Sequence, residues 1–393
     1  MKKILFYASG VGVGGVEKVL LQVLKEIDKS KYDIKLGLNN ANENYFENEI
    51  PSEINYKYMV PLEIIERTKR YRKKKKNIIY KILYSYMLWY EKYIAKKNFL
   101  KFAEDREILI DFKSGDFLRL VNLFKNKKKI VWLHGELSNL VKFKKNEKKF
   151  KRNLFQCDKI VLISNEMKRL FEEKLSDLKE KTELIYNPFD FKNIKEKAEN
   201  LSEETIESKK LLNNKYFLMV ARIDLKSKDF FTLLKAFKEF SNKNSEYKLF
   251  LLGDGNKIEK EKVLNKIEEL ELNNKVFLLG ARKNPYPWIK NAKILIQSSN
   301  YEGLPTVLIE GLILEKLIIS TDCPTGPKEI LENGEVGELV KIGDYKSMKE
   351  KIEKILTINP EEKIMLKNKI KESKFRFEKS KIMKKIDELL EKI

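Results

Sequence analysis

The stretch "AKILIQSSNYEGLPTVLIEGLILEKLIIST", residues 292–321, reads as strand, loop, helix and strand. A β-favouring apolar run, "AKILIQS" (292–298), leads to a Gly-Leu-Pro turn at 303–305. The apolar positions Val307, Leu308, Ile309 and Leu312 then read as a buried helix, and "KLIIST" (316–321) follows as a second strand. Strand, crossover helix and strand make the unit of a parallel sheet. Pro305 suits the first helical position, because its locked φ fits and its missing N–H would have been unbonded there anyway. Glu302 then falls in the loop before the helix, and Glu310 about a turn and a half inside it. A buried carboxylate needs partners, and the free N–H groups at a helix start make an anion seat. The arrangement suits a phosphate flanked by two acids that accept hydroxyl hydrogen bonds, which describes a nucleotide sugar.

Working outward, short apolar β-rich runs alternate with helical stretches in two series. The first has strands at 3–8, 33–38, 108–112, 129–134, 159–164 and 182–187; the second at 216–222, 248–253, 275–280, 292–298 and 316–321. Between them, the charged "KNIKEKAENLSEETIESKK" after "NPFD" (187–190) reads as a linker or exposed helix. The expectation is an α/β chain of two Rossmann-like, doubly wound domains, 1–187 and 188–374, with a C-terminal helix at 375–393 able to pack back on the first.

At 393 residues and 42% hydrophobic, the chain can bury two real cores. Two cysteines, Cys157 and Cys323, cannot make a disulfide framework, so a cytosolic setting is expected. The opening "MKKILFYASG" has an apolar run too short for a signal peptide and reads as a first strand. No run reaches the ~18 apolar residues of a membrane span. The net charge of +22 is concentrated: residues 67–101 carry thirteen positive charges and one negative, and 125–152 carry eleven and two. The 67–101 stretch joins "RYRKKKK" to an apolar, aromatic helical pattern (Ile78, Ile79, Ile82, Leu83, Tyr86, Trp89, Tyr90, Tyr93, Ile94), which fits a helix at an anionic membrane surface. The same face could instead pack into the N-terminal domain. Nucleic acid is not the expected partner, since no DNA- or RNA-binding module is recognisable.

Three further motifs carry chemistry. "SGVGVGGVEKVL" (9–20) sets Gly10, Gly12 and Gly15 at G-x-G-x-x-G spacing between a strand and a helix, but Asn39 and Asn40 stand where a ribose-holding acid would end the second strand. "VARIDLKSKDFF" (220–231) places Arg222 and Lys228 where they can neutralise a leaving diphosphate. The lone histidine, His134, ends a strand, where loops of an α/β sheet face the ligand crevice.

Joined in order, Gly-Gly-x-Glu (14–17), Arg222 with Lys228, "GDG" (253–255) and Glu302-x7-Glu310 resemble the family 4 retaining glycosyltransferases of the GT-B fold, over nearly the whole chain. "STDCPTGPKEIL" (320–331) resembles the subgroup that builds bacterial surface or lipid-linked glycans, although commoner members carry a Gly-Gly-x-Pro-Glu form there. The resemblance implies two domains across a cleft and a nucleoside diphosphate sugar donor, UDP-hexose or UDP-N-acetylhexosamine. It further implies a glycan or polyprenyl-diphosphate-glycan acceptor, no metal or other cofactor, and a peripheral position on the inner face of the cell membrane. It would give Glu310 the ribose hydroxyls, Glu302 and His134 the donor sugar, and Arg222 with Lys228 the diphosphate; the Arg-to-Lys spacing is a residue longer than usual, and Lys226 could substitute. Gly303, Leu304, Pro305 and Thr306 would line the phosphate and sugar. Gly14 and Gly15 would face the donor phosphate and acceptor, and Gly280, Ala281 and Arg282 would lie near the base. Asp116 and Glu136 are acceptor-side candidates. The rivals are a nucleotide-sugar epimerase or glycoside phosphorylase on the same architecture, and a non-catalytic basic scaffold.

Overall fold

Hydrogen bonding decides where each strand of a parallel sheet can sit, and this chain builds two such sheets. The computed structural model describes residues 1–12, 14–42, 44–115, 117–135 and 146–393. Asp116 and Glu136 lie outside them. The first sheet holds β1 (Lys2–Ala8), β2 (Tyr32–Asn40), β3 (Asn55–Val60), β4 (Ile108–Asp111), β5 (Lys128–Leu133), β6 (Lys159–Leu162) and β7 (Thr182–Leu184), in the order β3-β2-β1-β4-β5-β6-β7. The second holds β8 (Lys215–Val220), β9 (Tyr247–Leu252), β10 (Val276–Gly280), β11 (Ile294–Gln297), β12 (Ile318–Thr321) and β13 (Glu338–Val340), in the order β10-β9-β8-β11-β12-β13. Each strand pair is parallel. In both sheets the strand order reverses beside the first strand, between β1 and β4 and between β8 and β11. These are the switch points outside which α/β sheets bind ligands.

Two strands escaped the sequence reading, and both are edges. β3 buries only its last two residues, and β13 is three residues long with one buried. An edge strand is covered on one side only, so neither shows the continuous apolar run of a central parallel strand such as β1, where Ile4 to Ala8 are all buried.

The chain divides into two units, Met1–Phe189 with Ser380–Ile393, and Asp190–Lys379. The charged stretch after "NPFD" is no linker but part of the second unit. Asp190 caps the helix Phe191–Glu199 by accepting from the Asn193 N–H at 3.0 Å, and Ile194 and Ala198 are buried beneath it. Lys197 O accepts from Asn284 Nδ2 at 2.7 Å, tying this helix to the loop after β10. The terminal helix Lys379–Lys392 lies almost wholly in the first unit. It buries Ile382, Ile386, Leu389 and Leu390 there, and Asp387 accepts from the Tyr32 hydroxyl at 2.6 Å and pairs with Lys31 at 2.7 Å.

The second sheet carries its loops on close backbone approaches. Gly253, at φ +151°, leaves a Cβ only 1.9 Å from Ala221 O, and Gly255 leaves one 2.3 Å from Ile223 O, where the two segments form a bridge. The "GDG" motif thus lets the turn after β9 lie against the extension of β8. Gly253→Ala is expected to destabilise the second unit by about 3 kcal/mol, read as a lower unfolding midpoint for that unit, while Asp254→Ala, which adds no atoms, stays near wild type.

Candidate functional site

In the second unit the loop after β8 is zipped to the loop after β11. Asp229 N donates to Ser298 O at 3.0 Å, Asn300 N to Ser227 O at 2.8 Å, and Lys228 forms an antiparallel bridge with Ser299. This pairing seats the Lys228 ammonium on Glu302 Oε1. Gln297 Nε2 at 3.0 Å and Ser299 Oγ at 2.7 Å donate to the same oxygen. Three donors therefore converge on Oε1, and Oε2 has no partner among the described residues. The lysine and glutamate side chains are 15% and 12% exposed, so the pair is largely desolvated while one carboxylate oxygen stays available.

The "STDCPTG" segment that follows β12 props this loop from behind. Thr321 Oγ1 accepts from Ser299 N at 2.8 Å and donates to Ser299 O at 2.7 Å. Thr325 Oγ1 donates to Glu302 O. Gly326, at φ +94°, would carry a Cβ 2.6 Å from Pro305 Cδ and 2.9 Å from Gly303 O, so a side chain there would push out the Gly-Leu-Pro turn. Thr321, Thr325 and Gly326 are support residues the sequence reading did not single out by role. Burial, then the Glu302 charge, push the Cys323 thiol up to about 12, which leaves it neutral and a poor nucleophile.

The helix Thr306–Ile313 begins one residue later than expected, with Pro305 as its N-cap. The N–H groups of Thr306 and Val307 have no acceptor among the described residues; Leu308 N bonds Pro305 O at 3.1 Å. Those unspent donors follow directly from Glu302, Gly303 and Leu304, as an anion seat requires. Glu310 is 5% exposed, and the Tyr286 hydroxyl donates to its Oε1 at 3.4 Å. Tyr286 was missed, since an aromatic in "NPYPW" carries no signal of a carboxylate partner.

The remaining second-unit candidates are less convergent. Arg222 projects outward, 77% exposed, with Nη2 3.9 Å from Asp224 and, among the described residues, no tie to Lys228 or Glu302. Lys226 is exposed, and Lys228 is the lysine of this loop that meets Glu302. Gly280, at φ +72°, accepts from Gly253 N at 2.9 Å, and Ala281 is exposed. Arg282 turns to Glu204, Nε to Oε2 3.6 Å, while Glu204 Oε1 accepts from the Trp288 indole at 2.8 Å.

In the first unit the switch point holds Gly14, Gly15, Glu17, Lys113 and His134. Gly14 is extended, and a Cβ there would meet only the flexible Glu17 carboxylate, Oε2 at 2.2 Å. Gly15 opens the helix Gly15–Glu26, and Glu17 pairs with Lys113 at 2.8 Å, joining the loops after β1 and β4. Lys113 was not anticipated; one lysine among so many carries no sequence signal. His134 packs 4.7 Å from the Phe112 ring, with its backbone N–H on Ser114 Oγ at 3.0 Å. Neither ring nitrogen has a partner among the described residues, and burial, then the Lys113 charge, bring its pKa down to about 3. The imidazole is neutral at physiological pH.

Residues 202–372 match the family model described as Glycosyl transferases group 1. The chain is 28% identical over 97% of its length, and 97% of the other, to the N-acetylgalactosamine-N,N'-diacetylbacillosaminyl-diphospho-undecaprenol 4-alpha-N-acetylgalactosaminyltransferase of Campylobacter jejuni. It is 35% identical to an uncharacterized glycosyltransferase of Methanocaldococcus jannaschii over a stretch that is 44% of this chain and 42% of that protein. Among solved structures, the HepE protein of Anabaena in complex with UDP-glucose superposes with a TM-score of 0.78 over all of both chains, at 17% identity.

Because the chain has a single histidine, its imidazole is a clean reporter. Its NMR signals are expected to stay unshifted from pH 8 down to about 5, where an ordinary histidine of pKa about 6.5 would be almost fully protonated. Below about 6.5 the unfolded chain gains a proton that the folded one refuses, so folding stability falls with pH from there towards about 3. His134→Gln should remove that part of the slope.

Proposed function

We propose that this chain, a glycosyltransferase of GT-B fold, moves a hexose or N-acetylhexosamine from a UDP-linked donor to a glycan acceptor, one carried on a lipid diphosphate or a growing envelope polysaccharide. The observation that carries the reading is the Lys228–Glu302 pair standing directly before the unspent N–H groups of Thr306 and Val307, with buried Glu310 further along the same helix. A diphosphate would take the helix N–H groups and the Lys228 ammonium, which offset the charge that builds on it as the glycosidic C–O bond breaks. Lys228, Gln297 and Ser299 saturate one oxygen of Glu302, so its other oxygen is open to a sugar hydroxyl without a bare carboxylate facing the phosphates. Glu310 would accept the ribose hydroxyls, with Tyr286 holding its other face. Arg222, exposed and 3.9 Å from its only ion-pair partner Asp224 among the described residues, would close on the diphosphate when it is present.

The donor class is favoured by the UDP-glucose held by the Anabaena protein of like fold, and the acceptor class by the undecaprenol-linked substrate in the name of the Campylobacter jejuni relative. Retention of the anomeric configuration and independence from metal belong to the same reading. Electrostatic stabilisation by Lys228 and the helix N–H groups can do the work a cation would otherwise do. The epimerase and phosphorylase readings have no residue here that favours them.

Thermal unfolding in EDTA against UDP, GDP, ADP and their sugar conjugates tests this directly. UDP and one UDP-sugar are expected to stabilise the protein, by about 2.7 kcal/mol at a hundred times Kd. Glu310→Ala is expected to weaken that binding roughly 10- to 100-fold. Stabilisation that needs added metal, or that Glu310→Ala leaves intact, overturns the site. With a donor identified, NMR of the first product formed should show the donor's own anomeric configuration; the opposite anomer removes the retaining mechanism.

A further inference from the structure

The helices Leu62–Lys73 and Ile78–Ala103 form a hairpin on the first unit, joined by a lysine turn. The second helix does two things at once. Met87, Ala95, Phe99 and Ala103 are buried; Phe99 lies 4.8 Å from the Tyr7 ring, and Asn98 Nδ2 donates to Met59 O at 2.8 Å. The expected packing into the first unit therefore uses one side of this helix. Ile78, Ile79, Ile82, Tyr86, Trp89 and Tyr93 are exposed, Trp89 at 59%, and at 100° per residue they fall within an arc of about 100° and a length of about 22 Å. The aromatic members stack on one another, Trp89 on Tyr93 at 5.8 Å and Tyr86 on Tyr90 at 6.1 Å.

Its surroundings name the occupant. Exposed Arg72 to Lys76 stand at one end of the apolar stripe and exposed Lys96 and Lys97 at the other, with Lys81 and Lys92 along its edge. Glu91 is the sole acid between 67 and 101. An aromatic and aliphatic band enclosed by lysines matches the layered chemistry of an anionic bilayer surface, acyl chains and glycerol below and phosphate above. No helix among the described residues is long and apolar enough to cross a membrane. We infer that the 78–93 face of this hairpin lies in the headgroup layer of an anionic bilayer, with the 72–76 turn and Lys96 and Lys97 on its phosphates. The inference stands on the exposed face and its charges and does not depend on the sugar chemistry.

The test is flotation with vesicles of phosphatidylcholine alone or with about 30 mol% phosphatidylglycerol. The protein is expected to float at least about tenfold more with the anionic vesicles, less so in high salt. Of its three tryptophans Trp132 and Trp288 are buried, so a blue shift in emission on binding reports Trp89. It should vanish in Trp89→Phe, which still binds. Ile82→Glu with Trp89→Glu, and separately Lys73→Glu with Lys75→Glu, should each reduce flotation by about tenfold or more with circular dichroism unchanged, since all four side chains are exposed. Equal flotation of the Ile82→Glu, Trp89→Glu protein and wild type overturns the inference. So does self-association that the same pair of changes abolishes while vesicles are ignored, or tight binding to RNA in place of vesicles.

Discussion

A parallel strand cannot return to its neighbour by a tight turn, so each strand followed by another of its sheet leads into a loop at the same edge and then a crossover. That single constraint gathers the chemistry. At the switch point of the second sheet the loop after β8 brings Lys228 and the loop after β11 brings Ser299 and Glu302, 71 and 74 residues away in sequence and bonded across the gap. The first sheet does the same with Glu17 after β1 and Lys113 after β4. The glycines are where this convergence would otherwise fail: Gly253 and Gly255 let one turn lie on the β8 extension, and Gly326 lets another lie on the Gly-Leu-Pro turn.

The Lys228–Glu302 pair illustrates why such loops are tied so firmly. Taking two charges out of water is costly, and the mutual attraction repays it only when geometry and extra hydrogen bonds are good. Here Gln297 and Ser299 supply those bonds, from β11 and its loop, while Thr321 and Thr325 hold the backbone of that loop. The result is a carboxylate whose charge is offset on one oxygen and open on the other, next to helix N–H groups that are themselves unspent. A site prepared in this way needs little rearrangement to receive an anion, and that preorganisation is what electrostatic catalysis requires. His134 reaches neutrality by the opposite route, burial without a partner among the described residues, which suits an imidazole that donates or accepts a hydrogen bond and carries no charge.

The basic hairpin extends the same economy of surfaces to the first unit. One side of the helix Ile78–Ala103 completes the core over β1 and β3, through Phe99 against Tyr7 and Asn98 against Met59 O. Its other side keeps large apolar groups in water, a standing cost that an interaction surface would recover.

The amino-acid sequence by itself determined the class of fold, because central parallel strands must be apolar on both faces and announce themselves as runs such as "KILFYA" and "KILIQ". It also set Glu302 before the helix and Glu310 inside it, since a Gly-Leu-Pro turn and a helical apolar pattern constrain their spacing locally. Only the tertiary structure decided what lies between elements. The edge strands β3 and β13 are half covered and so have no distinctive pattern. The stretch holding the Phe191–Glu199 helix could be read as a linker or an exposed helix, because two buried residues suffice to dock it. The meeting of Lys228 with Glu302, the claim of Glu204 on Arg282, and the contacts of Tyr286, Thr325 and Lys113 each depend on a partner far away in the chain. Local sequence records the cost and preference of a backbone conformation, whereas a side chain's partner is chosen by the crossover that brings distant loops to one edge of a sheet.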